Sequence, residues 1–189
     1  MMIGFMAVFI LAYMAGSINF PIILFWLMGK QDPRSHFSKN PGATNVRRQA
    51  GLFWASVVLA LDVARAAGIA WAASFFCQPG AIPWIGLGLI TGNLFPCFHG
   101  FKGGKGVANY LGFSLFFIPW IGLVSGAAWG VVYAIFRIPF VSSFVMTAIL
   151  AAGMLVHFHW NFMAAAGTCA TLILIYFSHR SNIMGWLRS

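Results

Sequence analysis

Glutamate is absent from this 189-residue chain, and Asp32 and Asp62 are its only acidic residues. With Asp62 expected inside a helix beside Arg65, a carboxylate base is not expected. Charged residues of both signs make up only 7% of the sequence, against roughly 25% in soluble domains. Cysteine is scarce too. Cys77, Cys97 and Cys169 form no CxxC pair and lie in or near apolar runs, which argues against a disulfide framework or a thiolate metal site. The first apolar run lacks a basic segment before it and a small-residue cleavage pattern after it, so it reads as a retained span rather than a leader.

What is present is apolar. Hydrophobic residues make up 61% of the chain, and the mean hydropathy is +0.87. At about 20 residues per span, this length holds some six or seven crossings and one domain, residues 1–189. The expected spans are Met1–Gly29, Leu52 to about Phe76, Pro83 to about Phe98, two short or tilted helices within Val107–Phe136 broken at Pro119, and two within Ile138–Ser178 broken around His157–Asn161. Lys30–Gly51 reads as a polar loop, and His179–Ser189 as a short basic tail.

The net charge is +9. Such an excess suits nucleic acid, anionic lipid or an anionic substrate. Nucleic acid is disfavoured because no soluble module remains to carry it. With seven spans, Lys30, Arg34, Lys39, Arg47, Arg48, Lys102, Lys105, Arg137, Arg180 and Arg188 share one face, and Arg65 alone lies within the membrane. The positive-inside rule makes that face cytoplasmic. The expected fold is an all-α polytopic membrane protein of about seven transmembrane helices, N-terminus outside and C-terminus cytoplasmic. Arg65 is expected to pair with Asp62 at i,i+3.

Three polar segments gather on that face: Ser38–Arg48, Gly100–Gly106 and His179–Asn182. The first reads S-K-N-P-G-A-T-N-V-R-R. Pro41-Gly42 is turn chemistry, and a turn that presents backbone N–H groups beside Arg suits an oxyanion such as phosphate. The second reads G-F-K-G-G-K-G. It is not a P-loop, because Gly106 stands where Ser or Thr should follow Lys105 and no strand precedes it. Its glycines still let the backbone approach an anion closely. His157 and His159 fall on the opposite face without a carboxylate or thiolate partner, so no metal is expected there.

The chain resembles a known family. D-P-R-S-H-F-S-K-N-P-G-A-T-N-V-R-R, L-D-V-A-R, F-P-C-F-H-G-F-K-G-G-K-G-V-A and H-R-S-N-I, in this order and spacing, are similar to the bacterial PlsY-type glycerol-3-phosphate acyltransferases. The resemblance implies a multi-pass enzyme of the bacterial inner membrane that uses acyl-phosphate as donor. It would acylate the 1-hydroxyl of glycerol 3-phosphate, giving lysophosphatidic acid and phosphate for phospholipid synthesis, with no cofactor. It implies a catalytic set of Ser38, Arg48, Lys105, His179 and Asn182. Candidate substrate-binding positions in the two loops are Asn40, Gly42, Thr44, Asn45, Lys102, Gly103 and Gly104. The residue types agree. Arg offers a planar fork and Lys a point charge to phosphate, Ser and Asn can hydrogen-bond oxygens, and His can exchange a proton near neutral pH.

The chain departs from the family pattern at Asn93, where a G-H dipeptide is usual, at Lys39 for Gly, at Arg65-Ala66 for Lys-Gly, and in a tail lacking the usual Arg and later Glu. Two other classes remain open at this stage. A small transporter would spread polar groups along a path across the bilayer, whereas these crowd on one face. A non-catalytic binder of phosphorylated lipid would carry the same loops.

Overall fold

The computed structural model describes residues 2–188, so the expected helix start at Met1 and the tail end at Ser189 lie outside it. The described residues are helical, connected by turns and loops. The helices are α1 (Met2–Ser17), α2 (Phe20–Leu27), α3 (Ala43–Ala50), α4 (Leu52–Phe76), α5 (Ile82–Leu94), α6 (Val107–Phe117), α7 (Pro119–Phe136), α8 (Pro139–His157), α9 (Phe162–Ser178) and α10 (Arg180–Leu187).

Five segments are long and apolar enough to cross a membrane: Met2–Leu27, Leu52–Phe76, Pro79–His99, Pro119–Phe136 and Pro139–His157. Helix α9 makes a sixth when taken together with α10, from which it is bent by 45°. Helix α6 has 11 residues, about 16 Å at 1.5 Å each, roughly half the hydrocarbon thickness.

The breaks follow local chemistry. Proline opens or nearly opens α2, α5, α7 and α8, where its missing N–H costs nothing. The expected first span is interrupted at Ile18–Asn19. Asn19 caps α2 by accepting from Ile22 N at 3.3 Å, and Pro21 follows. Two further helices were not foreseen. Helix α3 lies inside the expected loop, and α10 inside the expected tail. Each has eight residues, too few to carry an apolar period.

Helix α5 is the centre of the bundle. It packs against α1, α4, α6 and α9, and Ile85, Leu89 and Ile90 are fully buried in it. Its approach to α1 requires two glycines. A Cβ on Gly16 would lie 2.1 Å from the Leu89 carbonyl oxygen, and one on Gly92 would lie 2.1 Å from that of Tyr13. Small residues at a helix crossing let backbones touch, which is how membrane helices associate when lipid is as apolar as their side chains. Helix α7 is mainly exposed along its apolar length, as a lipid-facing helix should be.

Arg65 ties three elements together. Its Nη2 donates to Asp62 Oδ1 at 2.6 Å and to Asn109 Oδ1 at 2.6 Å, and its Nη1 donates to the carbonyl of Ile18 at the α1–α2 break. The guanidinium also sits over the Phe20 ring, 4.8 Å from its centroid. The expected i,i+3 ion pair is present, with both side chains buried. Removing one partner of a buried pair leaves an uncompensated charge, costing about 3–5 kcal/mol. Asp62→Asn should therefore lower the thermal midpoint and the yield of folded protein in detergent. An unchanged midpoint would show that the pair contributes nothing to stability.

Candidate active site

Three segments distant in sequence meet at one end of the bundle. Helix α3 carries Arg47 and Arg48, the loop after α5 carries Lys105, and the junction of α9 and α10 carries His179 and Asn182. Together they line a cavity of about 680 Å³, within the range of roughly 300–1,000 Å³ common for small-molecule sites.

Helix α3 begins at Gly42, which caps it in extended backbone (φ −142°, ψ 165°). The amides of Ala43 and Thr44 have no acceptor within the helix, and both residues stand on the cavity wall. A helix N-terminus with free amides favours an anion. Val46 and Asn45 face inward and are buried. Asn45 donates through Nδ2 to the carbonyls of Pro33 (2.9 Å) and His36 (3.3 Å). Arg47 and Arg48 are left exposed on the cavity side, and among the described residues neither side chain makes a hydrogen bond or ion pair.

The Lys105 loop is folded back on the end of α5. Gly103 N donates to Leu94 O (3.0 Å) and Gly104 N to Asn93 O (2.9 Å). Asn93 Oδ1 accepts from Gly106 N at 3.0 Å. A Cβ on Gly103 would lie 2.0 Å from the Asn93 carbonyl oxygen, and Gly106 has φ +79°. The glycines thus serve backbone packing and a left-handed turn. Asn93 holds the loop through its side-chain amide oxygen.

Lys105 Nζ donates to Asn182 Oδ1. Burial lowers the Lys105 ammonium from 10.5 to about 8. His179 is buried, and its Nδ1 lies 2.9 Å from the Ile175 carbonyl. A carbonyl can only accept, so Nδ1 carries the hydrogen and Nε2 keeps its lone pair. Burial and the nearby Lys105 cation push His179 down to about 4, which keeps the ring neutral at pH 7.

Of the expected positions, Ser38, Arg48, Lys105, His179, Asn182, Asn40, Gly42, Thr44 and Gly104 line the cavity. Asn45, Lys102 and Gly103 do not. Asn45 and Gly103 are occupied in local hydrogen bonds, and Lys102 is exposed, its carbonyl accepting from Arg34.

Other wall residues were not expected there: Asp62, Asn93, Asn109, Trp129 and Ser143. Polar residues inside apolar helices are the signal that could have found Asn93 and Asn109. Apolar and aromatic residues line the same cavity, among them Leu59, Leu111, Tyr133, Phe140 and Met146. Trp129 joins them, its N–H donated to Ser143 Oγ at 3.3 Å and its ring stacked on Tyr133 at 5.1 Å.

A second cavity of about 640 Å³ is lined by Pro79, Gly80, Ile82, Phe117, His157, Phe158, His159 and Asn161. It sits at the other end of the bundle, since α4, α6 and α8 run towards it from the first. No group of three or more metal-ligating side chains occurs among the described residues.

Apolar spans with cations, amides and an imidazole at one end suit a membrane protein that takes up an anion. Comparison makes this specific. A family model described as glycerol-3-phosphate acyltransferase matches residues 6–189. The glycerol-3-phosphate acyltransferase of Thiobacillus denitrificans is 40% identical over 181 residues, covering 92% of this chain and 88% of that one. The corresponding protein of Methylobacillus flagellatus is 37% identical over 183 residues, covering 94% and 91%. The crystal structure of PlsY (YgiH), an integral membrane glycerol 3-phosphate acyltransferase in its glycerol 3-phosphate form, superposes with a TM-score of 0.89 at 31% identity, over 97% of this chain and 92% of that one. The chain belongs to the glycerol-3-phosphate acyltransferase family, of the PlsY type, and is an acyltransferase.

The lowered Lys105 value has a pH consequence with a definite sign. Between about 8 and 10.5 the unfolded chain holds the Lys105 proton and the substrate-free folded chain does not. This group therefore adds stability as pH rises through that window. An anion that needs the ammonium is bound below the window and released within it. The apparent affinity for a phosphate-bearing substrate should fall above pH about 8. Lys105→Arg, whose charge persists, should flatten the fall. A wild-type profile flat to pH about 10 would contradict it.

Proposed function

We propose that this protein transfers the acyl group of an acyl-phosphate to the 1-hydroxyl of glycerol 3-phosphate, giving lysophosphatidic acid and phosphate. The observation that carries the proposal is one cavity lined both by cations that no carboxylate pairs and by aromatic and aliphatic side chains. The cations suit phosphate, and the apolar side chains suit an acyl chain. The glycerol 3-phosphate form of PlsY supports the acceptor, and a second PlsY structure in its lysophosphatidic acid form, with a TM-score of 0.86, supports the product.

In this reading Arg48 and Lys105 hold phosphate oxygens, with the α3 N-terminus adding amides. Ser38 and Asn182 hydrogen-bond the glycerol or phosphate oxygens. The acceptor hydroxyl oxygen bonds to the acyl carbon, and the carbon–oxygen bond to phosphate breaks, so phosphate leaves with the electron pair. The hydroxyl proton passes to a phosphate oxygen. His179, held near 4, is a weak base and orients the hydroxyl through Nε2 instead. An acyl-phosphate is already activated, so positioning and charge stabilisation supply the catalysis. The chain acts in the bacterial inner membrane with seven passes, N-terminus outside. Val107 at the start of α6 and Tyr133 near the end of α7 line the same cavity, which supports a departure from and return to one end of the bundle by these two helices.

The test is incubation of purified protein with acyl-phosphate and labelled glycerol 3-phosphate, with acyl-CoA as the alternative donor. Lysophosphatidic acid should form from acyl-phosphate. Arg48→Ala should weaken use of glycerol 3-phosphate by one to two orders of magnitude, since a charge-assisted hydrogen bond contributes about 1.5–3 kcal/mol. Arg48→Lys should recover part of this. Product from acyl-CoA alone, or wild-type kinetics in folded Arg48→Ala, would overturn the donor or the clamp respectively. Topology is tested by a C-terminal reporter, which should be active only in the cytoplasm. Activity only outside would refute the orientation.

A further inference from the structure

Arg34 makes a dense set of contacts that the catalytic reading leaves unused. It lies in the short 3-10 turn Pro33–Ser35, outside the cavity wall. Its Nη1 donates to two carbonyls of another loop, His99 O and Lys102 O, both at 2.9 Å. Its Nε and Nη2 grip the Asp32 carboxylate, with Nε 3.0 Å from both oxygens and Nη2 2.6 Å from Oδ2. Asp32 Oδ1 also accepts from the Arg34 backbone amide at 2.8 Å. The guanidinium beside it holds the Asp32 carboxyl below its usual range, so the pair stays ionised.

The turn carrying Arg34 is itself fastened to α3. Pro33 O accepts from Asn45 Nδ2 at 2.9 Å and from Gln49 Nε2 at 3.1 Å. The chain of contacts therefore runs from the helix bearing Arg48, through the Pro33 carbonyl, to the Arg34 fork. It continues through Lys102 O to the glycines that precede Lys105. Among the described residues, no hydrogen bond joins α3 directly to the Lys105 loop.

We propose that Arg34, oriented by Asp32, is a positioning residue that braces the Arg48 helix against the Lys105 loop and so sets the spacing of the two cations for one phosphate. The requirement is for a fork. Only a planar, multi-donor group reaches a carboxylate on one edge and two carbonyls on another. A lysine ammonium in the same place can satisfy part of that set. The inference rests on the acyl-transfer reading only for its kinetic arm, since glycerol 3-phosphate binding reports the brace without turnover.

The experiment compares wild type, Arg34→Ala, Arg34→Lys and Asp32→Asn in detergent or nanodiscs. Glycerol 3-phosphate binding is measured by calorimetry, turnover with acyl-phosphate by kinetics, and the thermal midpoint in parallel. Arg34→Ala should weaken glycerol 3-phosphate binding and raise its KM about tenfold or more, with a smaller change in kcat. Millimolar guanidinium should restore part of the binding to Arg34→Ala and none to wild type. Arg34→Lys and Asp32→Asn should shift KM in the same direction by less. If Arg34→Ala does not fold, Arg34→Lys decides by the same split. Wild-type binding in the folded Arg34 variants, or a loss that follows the thermal midpoint and ignores guanidinium, overturns the brace. Normal glycerol 3-phosphate binding without turnover in wild type would overturn the acyl-transfer reading while leaving the brace to be judged on binding.

Discussion

Positive charge that the chain cannot neutralise by itself governs this structure. Eleven lysines and arginines face two aspartates. Both aspartates are already engaged, Asp32 with Arg34 and Asp62 with Arg65, each at 2.6 Å. Neither is left to quench Arg48 or Lys105. Lys105 meets a neutral partner instead, the amide oxygen of Asn182, and the Arg48 guanidinium stands exposed on the cavity wall. A site kept short of negative charge is one that an anionic substrate completes.

The rest of the fold keeps that site in place. The close α1–α5 crossing fixes the central helix, and the end of α5 fixes the Lys105 loop through Asn93 and Leu94. The Arg65 network joins the α1–α2 break to α4 and α6, and two of its members, Asp62 and Asn109, reach the cavity wall. The same buried polar groups thus hold the bundle and shape the chamber. Apolar packing alone would give helices freedom to slide, since lipid competes for the same surfaces.

Much of this was legible in the residues. The helical breaks at Pro119 and around His157–Asn161, the Asp62–Arg65 pair and the gathering of three polar segments at one end all follow from hydropathy, proline and spacing. Helix α3 was hidden because Asn40-Pro41-Gly42 reads as a turn, and the helix it caps is short and polar. The wall positions of Asn93, Asn109 and Trp129 depend on which side of a buried helix meets the chamber. Weak amphipathicity in a lipid-embedded chain does not encode that side. Asn45 and Gly103 lie off the cavity wall, the Asn45 Nδ2 and the Gly103 amide bonded to carbonyls of other segments, which only tertiary contact reveals.

One measurement separates this picture from its rivals: a crystal structure of the protein soaked with glycerol 3-phosphate. The phosphate should lie between the Arg48 guanidinium and the Lys105 ammonium, beside the first amides of α3, with the glycerol hydroxyls towards His179. Phosphate density at the other end of the bundle, among His157, His159 and Asn161, with the first cavity empty, would contradict it.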